Sequence, residues 1–130
     1  ILVSGGQHGD ERKALDEIMT KLRTLTQDTG IVLFAVSHLK RPEGKGHEEG
    51  AVTSVSQLRG SASIAQLSDF VLGLERNGQA DDETERNTTS IRVLKNRFSG
   101  ITGPAGSVLY NSDTGRLLEY EPEDYEDEPL

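Results

Sequence analysis

The sequence predicts an α/β fold in which parallel central strands, flanked by helices, give way to an antiparallel edge meander near the end. Two observations predict it. A helical apolar period over residues 11–28 runs into an unbroken apolar run at residues 31–36 (IVLFAV), and a helix feeding a strand buried on both faces is half of a βαβ unit. From residue 90 onward the pattern changes to short strand-like segments separated by polar turns, as at the antiparallel edge of a sheet.

Taken in order, residues 1–3 read as the end of a strand and SGGQHG as a flexible turn. Asp10 reads as an N-cap with Glu11 in the first turn. Ala14, Leu15, Ile18, Met19, Leu22 and Leu25 then recur at three- and four-residue spacing, and Gly30 ends the helix. The apolar run follows, and Ser37 and His38 fall at its carboxyl end, where parallel sheets bind ligands. Residues 39–56 form a polar, glycine-rich, lysine-bearing loop that reads as mobile. Ser54 and Gln57 have capping-box spacing for a helix starting near Val55, and Gly60 splits the following text into two short helical pieces. Residues 70–74 (FVLGL) read as a second buried strand and residues 77–89 as a polar surface loop. Strands are expected at residues 90–98, 107–110 and 116–120, the last two joined by the turn Asn-Ser-Asp-Thr-Gly at 111–115.

Composition narrows the function classes. The 130 residues make one domain or part of one, and the apolar start without Met or a basic region reads as a piece of a longer chain. Without cysteine there is no disulfide, thiolate zinc site or thiol nucleophile. No apolar run reaches the length of a membrane span. The net charge of −8 is local: residues 119–130 carry seven of the 22 acids and no base, leaving 15 acids against 14 bases. That tail reads as a disordered segment, either solubilising or protein-binding.

No complete active site is legible. There is no G-x-x-x-x-G-K-S/T phosphate loop, no metal-spaced histidine set among His8, His38 and His47, and no G-x-S-x-G elbow. His38 is either a strand-end histidine or a ligand contact. Lys40, Arg41 and Lys45, interleaved with Gly44, Gly46 and Gly50, suit a nucleic-acid backbone, although Glu43, Glu48 and Glu49 offset their charge. Lys95 and Arg97 stand near a strand end, as solvent-facing cations or as donors to a neighbouring subunit's phosphate.

Four pieces carry a resemblance: DERKALDEIMTKL; VSHLKRPEGKGHEEG; QLRGSASIAQLSD with LERN; and RVLKNRFSGITGPAG with LYNSDTGRL. In this order they resemble the C-terminal part of the ATPase domain of DnaB-like hexameric replicative DNA helicases, nearest the phage primase-helicase branch, over residues 1–118. The resemblance implies a RecA-like P-loop NTPase core whose Walker A and Walker B elements lie upstream. It also implies a cytoplasmic homo-hexameric ring that unwinds duplex DNA by translocating on single-stranded DNA. The fuel it implies is ATP, or another NTP such as dTTP, with Mg2+ held mostly by residues outside this chain and no metal ligand within it. By the same match, His38 is the γ-phosphate sensor, and Arg97, with Lys95 beside it, the arginine finger acting in trans. Arg76 and Tyr110 sandwich the nucleotide base, while Lys40, Lys45, Arg59 and Gly60 line the DNA path. The chain has Ala65 where close phage relatives carry an arginine. The acidic tail, residues 119–130, resembles those through which phage helicases contact their DNA polymerase. The resemblance implies that the fragment alone is inactive as an ATPase. The competing readings are a RecA-type recombinase or regulatory ATPase, and a non-catalytic nucleic-acid-binding module.

Overall fold

The computed structural model describes residues 8–58 and 62–121 of the chain. The expected strand at residues 1–3, Arg59, Gly60 and the tail beyond residue 121 lie outside the described residues.

Helix α1 spans His8–Thr29. It starts earlier than its expected cap, so Asp10 sits with Glu11 inside the first turn, where both carboxylates still face the positive end of the helix dipole. The helix stops at Gly30, whose φ of 69° is the left-handed conformation that ends helices at glycine. Ala14, Leu15, Ile18, Met19 and Leu22 are half-buried along one face, as their spacing predicts, whereas Leu25 is exposed. The Ser54–Gln57 capping box forms, but around a single 3-10 turn, Val55–Gln57, rather than a longer helix. Helix α2 follows at Ala62–Leu67 and packs on α1.

Strands β1 (Phe70–Glu75), β2 (Thr88–Asn96), β3 (Gly103–Asn111) and β4 (Arg116–Tyr120) form a four-stranded sheet in the order β1-β2-β3-β4. Every pairing is antiparallel. The meander expected from residue 90 onward is present, and β1 belongs to it. The β3–β4 turn closes as its sequence predicts, with Asn111 Oδ1 accepting from the amides of Asp113 and Thr114 at 3.0 and 2.9 Å. The polar stretch at residues 77–89 is more than a loop: helix α3 occupies Glu83–Asn87, with Asp82 as its N-cap accepting from Glu85 N–H at 2.7 Å.

Two expectations come out differently. Residues 31–36 form no strand among the described residues. They pair with nothing among the described residues, and Phe34 and Val36 are 89% and 98% exposed. A strand exists only through a partner's N–H and C=O groups, and no parallel strand lies beside this run among the described residues. The second correction is β1, which is an edge strand covered on one face. Phe70, Leu72 and Leu74 are exposed, while Gly73 and Glu75 point the other way and are buried. Among the described residues Ala80 is the only buried apolar side chain, so the helix and sheet faces do not close on a core of their own.

Candidate functional site

The loop that begins at Lys40 is rooted on neighbouring segments. Just past His38, Leu39 pairs with Leu58, and Lys40 N–H donates to the Gln57 carbonyl at 2.6 Å. The capping box presents that carbonyl: Gln57 Oε1 accepts from Ser54 N–H at 3.0 Å, and Ser54 Oγ accepts from Ser56 N–H at 3.3 Å. His38, the loop's first root and the residues leading into Arg59 therefore lie along one strap.

The loop was expected to be mobile, yet it is braced internally. Glu48 accepts from Arg41 at 3.2 Å, Glu49 Oε2 accepts from Gly46 N–H at 2.8 Å, and His47 Nε2 meets the Lys40 carbonyl at 3.2 Å. Two of the acids that looked like charge compensation are loop braces. The side chains of Lys40 and Lys45 remain exposed. Farther on, Glu49 pairs with Asn77, and Gly50 lies so close that an added Cβ would meet Asn77 Cβ at 3.1 Å.

The loop's second root is a buried polar cluster. Thr53, 3% exposed, donates to Glu75 Oε1 through its N–H at 2.7 Å and its hydroxyl at 2.8 Å. Arg92 reaches the same carboxylate through Nε at 2.8 Å and Nη2 at 3.4 Å. Burial pushes the Glu75 pKa up. The Arg92 hydrogen bonds, the two from Thr53 and the Arg92 charge outweigh it, leaving the carboxyl below its ordinary value. Gly73 makes the arrangement possible, because a Cβ there would lie 1.9 Å from Thr53 Oγ1.

Lys95 and Arg97 lie at the other end of β1 from Asn77, and a six-residue strand spans roughly 20 Å. Neither is simply solvent-facing. Lys95 Nζ donates to the carbonyls of Ala65 and Gln66 at 2.5 and 3.2 Å, at the negative end of α2. Arg97 Nη2 donates to the Gln66 carbonyl at 2.7 Å, and its Nη1 is 3.2 Å from Asp69 Oδ1. Asp69 Oδ2 takes Arg23 Nη1 of α1 at 2.7 Å. The Arg97 side chain stays 36% exposed, so its fork is aimed from outside rather than buried.

Arg76 and Tyr110 fall toward the loop end of β1. Arg76 Nε donates to the Arg86 carbonyl at 2.7 Å, at the end of α3. Tyr110 borders an open cavity of about 210 Å³ with Glu83, Thr84, Asn111 and Asp113. Arg76 directly follows the Glu75–Ser90 pair at the end of β1, and the Ser90–Ser107 pair extends that row into β3, three residues before Tyr110. The structure thus gathers His38, Lys40 and Lys45 on one loop and Lys95 with Arg97 at the far end of β1.

Thr53, Glu75, Arg92, Asp69 and Arg23 escaped the sequence reading. Glu75 and Asp69 stand inside the LERN and QLSD pieces, but their partners are 17 to 46 residues away. Among the described residues no group of three or more His, Cys, Asp or Glu is placed to hold a metal ion. No described helix is long and apolar enough to cross a membrane.

Residues 1–117 match the family model described as the DnaB-like helicase C-terminal domain. The chain is 48% identical over 126 residues to the DNA helicase/primase of Enterobacteria phage T3, covering 96% of this chain and 21% of that protein. It is 30% identical over 106 residues to the replicative DNA helicase DnaC of Bacillus subtilis (strain 168), covering 81% of this chain and 22% of that protein. The chain thus spans about a fifth of the length of these relatives.

Proposed function

The chain belongs to the DnaB-like helicase C-terminal domain family, and from that premise we propose that it is the sensor, loop and trans-acting portion of a replicative DNA helicase, which unwinds duplex DNA by translocating on a single strand as it hydrolyses NTP. The observation that supports this most directly is the strap joining Leu39 and Lys40 to Gln57 and Leu58. It puts His38 one residue from the root of a cation-bearing loop and beside the segment entering Arg59 and Gly60. A change in what His38 bonds is passed to that root through a single residue. Lys40, Lys45, Arg59 and Gly60 then follow the DNA backbone, a role that suits the exposed Lys40 and Lys45 on their braced loop.

The distance between the two ends of β1 supports a ring. Head-to-tail assembly needs two different faces on each subunit. Arg97, with Lys95 alongside, serves the neighbour's nucleotide from one end, while Arg76 and Tyr110 sandwich the base of the subunit's own NTP toward the other. The guanidinium has five N–H donors, so those bound to Gln66 and Asp69 fix its direction and leave others for the charge that develops in phosphoryl transfer. The phosphate cradle and the carboxylates for Mg2+ belong to the remainder of the subunit, as do the strands that pair in parallel with residues 31–36 to complete a RecA-like core. Residues 1–118 form that part of the ATPase domain, residues 119–130 are an acidic tail suited to contacting a DNA polymerase, and the setting is the cytoplasm of a bacterium or a phage-infected host.

The test is forked-duplex unwinding by the complete subunit, run beside a strand-exchange assay. Nucleotide-dependent unwinding without exchange is the expected result. Exchange without unwinding, or DNA binding without hydrolysis, replaces the helicase reading with a recombinase or a binding module.

A further inference from the structure

The buried cluster at Thr53 joins the meander to a segment outside it. Strands β2, β3 and β4 pair through their own backbones, and Thr53 belongs to none of them. What the cluster does hold is the end of the cation loop. Residues 49–53 run beside residues 75–77, fastened by the Glu49–Asn77 bridge and by both Thr53 bonds to Glu75. Oε1 of that carboxylate takes three donors at 2.7–2.8 Å, two from the loop and one from Arg92 on the sheet. An ionised acceptor with several short bonds is a stiffer anchor than neutral pairs can make.

We propose that Glu75, clamped by Arg92, is the positioning residue of the loop: it seats Thr53 over Gly73 and so sets where Lys40 and Lys45 stand relative to a nucleic-acid strand. This rests on the reading of the loop as the single-strand contact. Glu75 touches no nucleic acid itself. Its effect on binding runs through loop geometry, and that distinguishes it from a phosphate-contacting cation. Removing a contact lowers both the affinity and its salt dependence, whereas loosening the loop lowers affinity through the cost of ordering it and leaves the same cations on the same phosphates once bound.

The experiment uses the complete helicase subunit and an oligo-dT probe, with affinity measured across a salt series and amide hydrogen exchange followed over residues 40–53. Glu75→Gln keeps the shape and removes the charge. Gly73→Ala keeps the carboxylate and pushes Thr53 off its seat. Thr53→Ser retains both donors. Glu75→Gln, which loses the charged acceptor, and Gly73→Ala, which parts Thr53 from it, are each expected to weaken oligo-dT binding by about tenfold. The salt slope should stay at the wild-type value, exchange should rise in residues 40–53 and not in β2–β4, and Thr53→Ser should match wild type. Unchanged affinity and exchange in folded Glu75→Gln overturns the proposal. So does a salt slope that falls with affinity, or protection lost evenly over the whole sheet. If the wild-type subunit does not bind oligo-dT, the helicase reading fails, and the exchange arm alone decides whether Glu75 anchors the loop.

Discussion

The two ends of β1 use the same charge types in opposite ways. At the loop end, acids do the bracing: Glu48 takes the Arg41 side chain, Glu49 the Gly46 amide and Glu75 the Thr53 amide at the root, leaving Lys40 and Lys45 exposed. At the far end the cations are themselves held, Lys95 on the carbonyls closing α2 and Arg97 between Gln66 and Asp69. The first arrangement suits a strand that must be gripped and released, because exposed lysines adapt to a moving backbone. The second suits a single anion at a fixed place, because a planar guanidinium held at two points has little freedom left to lose.

The comparison can be broken from either end. Arg97→Ala in the complete subunit should cut steady-state hydrolysis by roughly 10³–10⁵ while nucleotide binding stays near wild type. A loss confined to binding would remove the trans role. Asp69→Asn tests the holding alone. With the carboxylate charge shared by Arg23 and Arg97 gone, kcat should fall roughly ten- to hundredfold with little change in KM, since a misplaced group costs rate. Wild-type turnover would mean that Asp69 is a local staple between α1 and the sheet.

At the loop end, Lys40→Ala should weaken single-strand binding several-fold and lower the salt slope by about 0.7, the share of one phosphate contact on a single strand. A slope equal to wild type would take Lys40 off the DNA path. Acid should reveal Glu75. Its pKa is lower folded than unfolded, so it contributes stability above the ordinary carboxylate range and loses it as pH falls through the folded value. Thermal melts toward about pH 3 should fall less steeply for Glu75→Gln than for wild type. Parallel curves would mean that the carboxylate is not engaged in the fold. The smallest change is expected from Arg41→Ala, which breaks an exposed pair with Glu48 and should shift stability by less than about 1 kcal/mol in chemical denaturation.

The elements that read correctly from sequence are those settled by near neighbours. Helix α1 and its stop at Gly30 follow from apolar spacing and one glycine, and the Asn111 turn from the side chain that starts it. Residues 31–36 find no strand partner among the described residues, because an apolar run specifies a need for cover, not the partner that provides it. The same gap hid the alternation in β1, where Glu75 and not Leu74 faces inward. Among the site residues, the lysines and Arg97 stood out by charge. Glu75 and Asp69 looked like ordinary surface acids, because the donors that give them meaning, Thr53, Arg92 and Arg23, are far off in the chain.

By itself the sequence determined helix α1, the meander with its hairpin, the concentration of acid at the end and the family likeness carried by four ordered motifs. These depend on residues within a turn or two of one another, or on their order alone. Tertiary structure decided which cations are free and which are tied, which acid is buried, and that the lysine loop is anchored at both roots. Those outcomes depend on distances between residues remote in the chain, and a charge's usefulness depends on what folding has already placed beside it.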